Sequence, residues 1–353
     1  MQASSLSFLE KLLESPGPSG SEGPVQSVFE AYVRPYADEI IHSPHGSVAA
    51  IRNPKGKPRV ILTGHADEIG LIVHHIDKDG FLFFRTIGGI DPVTLPATRV
   101  EVHTQKGMIL GVIGRRPMHL LQGDERNKVG KIQDLYIDIG ASTKSEAEKL
   151  VRAGDPVTFR RGLLKLGKQR VTSKALDNRA GVFCAAEAFR LLGRTQPKAC
   201  VIALSTVGEE IGGDGAFTAS FELKPDLAIA VDVTFAIDQP DVTEKDTTNI
   251  HLGRGPVIQR GPRINSSISR LLEKAAAQGR IKLQFEVEGG RTGTDGDEIY
   301  KTRGGVPLGV VTVPCRYMHT PGEIVSLDDL EAISKLLAAF VKGLGPRTSL
   351  SPF

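Results

Sequence analysis

Four short apolar runs constrain the fold of this chain more than any other feature: VILT at 60–63, CVIALS at 200–205, LAIAVDV at 227–233 and GVVTV at 309–313. Each has the length and β-branched content of a buried strand. None approaches the roughly 20 apolar residues needed to cross a bilayer as a helix. Helical patterns at 179–192, 265–278 and 327–342 alternate with these runs. Alternation of this kind predicts an α/β sheet with helices on both faces. Two further helices are expected over 4–14 and 24–33; Leu6, Leu9, Leu12 and Leu13 repeat at amphipathic spacing in the first. The loop between them, SPGPSGSEG, is turn chemistry. Ser326 and Asp329 have the spacing of a capping box for the last helix.

Residues 71–165 have a different texture. Short alternating runs such as GLIVHHI, FLFFRTI, TRVEVHT and MILGVIG are separated by turn signals such as DKDG and TQKG. This predicts a compact all-β unit. The expected organisation is therefore one discontinuous α/β domain, 1–70 and 166–353, interrupted by a β-domain at 71–165. His74 and His75 are neighbours on a predicted strand, so they are expected to face opposite sides and to share no site.

Composition narrows the partners. The 44 Lys and Arg residues nearly balance 41 Asp and Glu, and a net charge of +3 argues against nucleic acid or a membrane surface. The first residues lack the basic start of a signal peptide. Cys184, Cys200 and Cys315 are widely spaced in apolar contexts, which predicts no disulfide framework and a cytoplasmic location. No C-x-x-C or H-E-x-x-H occurs, and GRTGTDGDEI lacks the lysine of a phosphate-binding loop.

In open α/β sheets ligands bind beyond the carboxyl ends of the strands. His65 and Asp67 follow VILT, Glu209 and Glu210 follow CVIALS, Asp232 closes LAIAVDV, and His319 follows GVVTV in CRYMHTPGE. Asp177 lies in ALDNRAG, just ahead of a helix. Any one of these would ordinarily be a loop residue or a helix cap. Together they converge on one rim, where the carboxylates would repel one another unless cations lay between them. Imidazole and carboxylate are the ligands of hydrolytic zinc, and of cobalt or manganese at similar sites. Two ions about 4 Å apart need a shared ligand, and an aspartate can offer one oxygen to each.

GHADEIG, ALDNRAG, TVGEEIG, AVDVT, GTD and RYMHTP occur in an order and spacing that resembles the tetrahedral aminopeptidases, glutamyl- and deblocking-aminopeptidase-like metallopeptidases. The resemblance runs from SPGPSGSE to RYMHTPGEIV. It implies an α/β, mixed-sheet, zinc-peptidase-like catalytic domain with an inserted PDZ-like β-barrel that builds dimers and tetrahedral dodecamers. It also implies two divalent metal ions per subunit, zinc first, with cobalt or manganese as alternatives. His65 and Asp232 would bind one ion, Glu210 and His319 the other, and Asp177 would bridge them through a carboxylate aimed by a cis Asp177–Asn178 peptide. Glu209 would be the general base acting on a metal-activated water, and Asp67 would hold the His65 imidazole. The substrates would be peptides, cut at their free N-terminus. The chain departs from the family pattern at Ser47, at Phe235, and at Asp297 and Glu298 of GTDGDE. None of these is an implied ligand; the last two departures bear on the substrate pocket.

Two rivals belong to other classes. A glycoside hydrolase of endoglucanase type could use two carboxylates, but its sugar cleft would usually offer aromatic faces, and this chain has no Trp and 5% aromatic residues. A non-catalytic oligomeric scaffold would not need to keep all five ligands and the base.

Overall fold

The computed structural model describes residues 1–120, 122–123, 130–193, 196–245 and 247–351. The chain opens with α1 (Ala3–Glu14) and α2 (Gly23–Val33), then β1 (Glu39–His42), β2 (Val48–Arg52) and β3 (Arg59–His65). Six strands follow: β4 (Gly70–Ile76), β5 (Leu82–Ile87), β6 (Arg99–Thr104), β7 (Gly107–Arg115), β8 (Leu135–Asp138) and, after α3 (Lys144–Glu148), β9 (Pro156–Phe159). Next come β10 (Leu164–Leu166), β11 (Arg170–Ser173), α4 (Leu176–Leu191), β12 (Cys200–Thr206), α5 (Asp214–Leu223), β13 (Leu227–Phe235) and β14 (Val257–Arg260). The last elements are α6 (Ser266–Gly279), β15 (Gln284–Val287), α7 (Gly296–Tyr300), β16 (Leu308–Cys315), β17 (Glu323–Ser326) and α8 (Leu327–Gly343).

The main sheet is mixed and has eight strands in the order β1-β2-β12-β3-β13-β16-β14-β15. Its centre, β12, β3, β13 and β16, is parallel, so these strands end along one edge. His65 pairs with Thr206 there, and Asp232 with Thr312. Side chains alternate between the two faces of a strand, and the core splits accordingly. Val60, Leu62, Val201, Ala203, Ile229 and Val231 pack with α1, α2, α4, α6 and α8. Ile61, Ile202, Leu204, Ala228 and Ala230 pack with α5 and α7. The expected helices on both faces are present, and the central strands are buried along nearly their whole length because both faces are covered.

Strands β4 to β9 close into a barrel in the order β4-β5-β8-β7-β6-β9. It has its own core, including Leu71, Val73, Leu82, Phe84, Val100, Ile113, Ile137 and Phe159. A small sheet, β10-β11-β17, sets Ser173 opposite Glu323.

Two local expectations are corrected. His74 and His75 do not face opposite sides: the β4–β5 register shifts between Val73 and His75, both residues are exposed, and their ring centroids lie 6.2 Å apart. A bulge of this kind breaks the two-residue alternation. Ser326 does cap α8, accepting from the Asp328 N–H at 3.3 Å, but no box closes with Asp329. The Asp329 carboxylate instead accepts the N–H groups of Gly253 (2.7 Å) and Gly255 (2.8 Å). Among the described residues, no helix is long and apolar enough to cross a membrane.

Candidate active site

His65, the last residue of β3, is 1% exposed. Its Nδ1 lies 3.4 Å from Asp67 Oδ1, and its Nε2 faces Asp177 Oδ1 at 3.2 Å, Glu209 Oε2 at 3.8 Å and Asp232 Oδ1 at 3.9 Å. The second Asp177 oxygen, Oδ2, lies 3.3 Å from His319 Nε2, which is 3.5 Å from Glu210 Oε2. Asp177 therefore stands between the two imidazoles and offers one oxygen to each. All seven residues singled out in the sequence meet here. Six line a cavity of about 280 Å³, with Gly89, Val233, Gly293 and Met318, while Asp67 lies buried behind His65. A larger groove of about 840 Å³, lined by residues such as Arg254, Arg280 and Lys335, gathers no histidine.

Local backbone explains the convergence. Asp177 and Asn178 are non-helical within α4 and joined by a cis peptide, so the regular helix begins at Arg179. Glu209 and Glu210 sit on a 3₁₀ turn after β12, entered by Gly208 at φ 70° and left by Gly212 at φ 134°. Both φ values lie where glycine is favoured. The Asp67 carboxylate accepts the N–H groups of Glu209 and Glu210, each at 3.1 Å, so it ties the turn after β12 to the turn after β3. The barrel supplies a wall after β5. A Cβ at Gly89 would lie 3.3 Å from His319 Nδ1, and one at Gly88 would lie 3.1 Å from Glu210 Oε2.

Charge dominates the electrostatics. Burial, with the charges of Asp295, Asp177 and Asp67 and against the attraction of His65, pushes the Glu209 carboxyl up to about 7. Burial and repulsion from Asp177 push Glu210 up to about 8. Burial raises Asp232 well above the carboxylate range. The Asp177 carboxyl goes the other way: burial opposes its charge, but hydrogen bonds from His319 and His65 outweigh that cost. The His319 hydrogen bond to Asp177 pushes its imidazole up to about 9. Burial opposes charge on His65, yet hydrogen bonds to Asp177 and Asp67 hold it well above the ordinary value. Four carboxylates facing two imidazoles carry more negative charge than the histidines balance, and the set compensates by holding protons. Divalent cations would do so better, and the donors fit them: His65, Asp177 and Glu210 each offer an atom within 4.8 Å of the others.

Three supporting residues lie away from the turns that follow the central strands. Glu323 is buried; its Oε2 accepts the Asp177 N–H and its Oε1 the His319 N–H, both at 3.0 Å. Its signal was its place four residues after His319, in HTPGE. Asp295, in GTD, accepts from Thr206 Oγ1 at 2.5 Å beneath the site. Ser19, in the N-terminal loop, donates to Asp67. Asp297 does not enter the cavity. It accepts the N–H groups of Thr292 (2.9 Å) and Gly293 (3.1 Å) and so holds the wall that Gly293 forms. Phe235 ends β13 with 57% exposure.

A parallel-centred mixed sheet that gathers two histidines and several carboxylates at its carboxyl edge, with an inserted barrel whose loop walls the cavity, has the donor set and architecture of a metal-binding hydrolase. The chain belongs to the M42 glutamyl aminopeptidase family, whose sequence pattern matches residues 46–336. It is 37% identical over 344 residues to the lysyl aminopeptidase of Pyrococcus furiosus, covering 96% of this chain and 97% of that one. The crystal structure of a TET aminopeptidase from a marine sediment archaeon, Thaumarchaeota archaeon SCGC AB-539-E09, superposes with a TM-score of 0.93 at 34% identity, covering 98% of each chain. The TET1 peptidase of Pyrococcus horikoshii, which can assemble into a tetrahedron or a large octahedral shell, superposes with a TM-score of 0.86 at 32% identity over 96% of this chain and 100% of that one. The resemblance to the tetrahedral aminopeptidases is borne out. The protein is an enzyme of the aminopeptidase class, which removes the ground for the scaffold reading and weighs against the glycosidase.

Proposed function

We propose that the protein removes N-terminal residues from peptides at a site holding two divalent ions, zinc first, with cobalt or manganese as alternatives. The observation that carries this reading is the Asp177 carboxylate, with one oxygen 3.2 Å from His65 and the other 3.3 Å from His319. His65 and Asp232 would hold one ion, Glu210 and His319 the other, and Asp177 both. When bound, such ions polarise the scissile carbonyl and lower the pKa of water toward neutrality. Glu209, left without a metal-binding role, takes the proton from the attacking water and returns it to the leaving amine nitrogen. Asp67 fixes the orientation of His65 through Nδ1. The carboxylates around the cavity attract the free α-amino group, which favours attack at the first peptide bond.

The inserted β-domain expected over 71–165, whose barrel strands run from Gly70 to Phe159, is proposed as an assembly domain that joins copies of this chain, from a dimer up to a dodecamer. The assembly of the horikoshii relative supports this. An aminoacyl-nitroanilide panel, run on chelated protein reloaded with Zn, Co or Mn in turn, tests the function. Activity should vanish with the chelator and return with about two ions per chain. Turnover that survives complete metal removal would overturn the reading.

A further inference from the structure

The chemistry proposed above uses no residue ahead of His65, yet the loop between α1 and α2 is built into the turns that carry it. Gly17 and Glu68 exchange two hydrogen bonds, Gly17 N–H to Glu68 Oε1 at 3.1 Å and Glu68 N–H to the Gly17 carbonyl at 3.0 Å. Ser19 Oγ donates to Asp67 Oδ2 at 2.7 Å, and both side chains are buried. Glu22 Oε1 accepts the N–H of Gly208, the residue before Glu209, at 3.2 Å. The loop thus grips both the turn after β3 and the turn after β12.

We propose that Ser19 is a positioning residue for the aminopeptidase reaction: its hydroxyl fixes the Asp67 carboxylate, and that carboxylate fixes the backbone from which Glu209 points. This rests on the reading of Glu209 as general base. An aspartate's terminal torsion is soft, so Asp67 needs donors on both oxygens to hold one orientation. Oδ1 takes the Glu209 N–H, and Oδ2 takes the Glu210 N–H and the Ser19 hydroxyl. A short O–H bond to an ionised oxygen is the strongest of these by kind. Losing it leaves Oδ2 with the Glu210 N–H alone, while Oδ1 keeps the Glu209 N–H and the His65 ring, so the carboxylate and the two turn amides it holds are less tightly fixed. The loop itself has other anchors. Gly17 keeps its two bonds to Glu68, and the Arg179 guanidinium keeps its bonds to the Leu12 and Ser15 carbonyls. Removing the hydroxyl should therefore disturb the base without unfolding the loop.

The test compares metal-loaded wild type, Ser19→Ala and Ser19→Thr for kcat, KM, metal content, melting temperature and amide hydrogen exchange at Glu209 and Glu210. Ser19→Ala should lose kcat by roughly tenfold to a hundredfold, the cost of a small misplacement of a reacting group. Its KM, metal content and melting temperature should stay near wild type, its Glu209 and Glu210 amides should exchange faster, and Ser19→Thr should recover most of kcat. Wild-type kcat and exchange in Ser19→Ala would overturn the proposal. So would a kcat loss matched by lost metal or lowered melting temperature, because that is a structural role. If wild type cleaves no aminoacyl substrate, the proposed function fails, and the exchange rates alone decide whether Ser19 orders the turn.

Discussion

Glu209 and Glu210 are neighbours in sequence with different surroundings. Glu210 Oε2 approaches His319 at 3.5 Å, while Glu209 Oε2 approaches His65 at 3.8 Å, on the other side of Asp177. The turn that begins at Gly208 sends the two side chains to different parts of one cavity. Glu209→Gln keeps the size and polarity of the side chain but cannot take a proton. It should lose kcat by about 10²- to 10⁴-fold and retain its metal. Glu210→Gln should lose metal first. Steady-state kinetics beside elemental analysis of both variants checks this; a Glu209→Gln enzyme with near-normal kcat would show that another group takes the proton. Position just past a strand marks the residues that point at the cavity. It does not mark Glu323, whose carboxylate points at two backbone N–H groups and so resembles any loop acid in sequence.

Between elements, one buried network ties the site together. Glu68 accepts from Lys174 Nζ at 2.7 and 2.6 Å and from Arg179 Nη2 at 2.8 Å. Burial opposes the charge of Glu68, but both cations hold its carboxyl below the ordinary range. Arg179 is fully buried and also donates to the carbonyls of Ala66, at 3.2 Å, and Leu12, at 2.6 Å. The network thus fastens the turn after β3 to the start of α4 and the end of α1. Removing one partner of a buried set leaves uncompensated charge. Glu68→Ala should cost about 3–5 kcal/mol, read from the midpoint of urea unfolding of the metal-free protein. A loss under about 1 kcal/mol would mean that water reaches the cations, as at exposed pairs. The elements themselves were legible because their apolar periods are regular. The bulge at His74 and His75 and the diversion of Asp329 to Gly253 and Gly255 were not, because each depends on a partner brought close by the fold.

At the scale of the molecule, the site crowds buried carboxyls whose repulsion bound cations would relieve. Glu209, up to about 7, and Glu210, up to about 8, hold protons in the folded chain that the unfolded chain releases near 4.5. A carboxyl with a raised folded pKa stabilises the fold fully below its unfolded value and loses that contribution as pH rises through its folded value. His319, raised to about 9, has the same sign: its contribution is lost as pH rises through that value. Metal-free protein should therefore become less stable from about pH 5 to 8. Above that range Lys174, lowered to about 8 by burial, contributes the opposite sign. Bound metal should flatten the fall by replacing the protons. Melting temperatures of chelated and loaded protein across this range check the claim; parallel curves would contradict it.

The sequence by itself determined the elements, the α/β class, the inserted β-unit and the strand-end residues, because burial imposes a period on side chains that needs no knowledge of neighbours. It also carried the family pattern, now matched over residues 46–336. Only the tertiary structure decided which oxygen faces which nitrogen. Asp177 divides between His65 and His319, Asp67 reaches the amides of Glu209 and Glu210, and Gly88 and Gly89 of the barrel close against Glu210 and His319. These contacts join segments far apart in the chain. Hydrogen bonds and charges act over a few ångströms of space, and sequence separation does not report that distance.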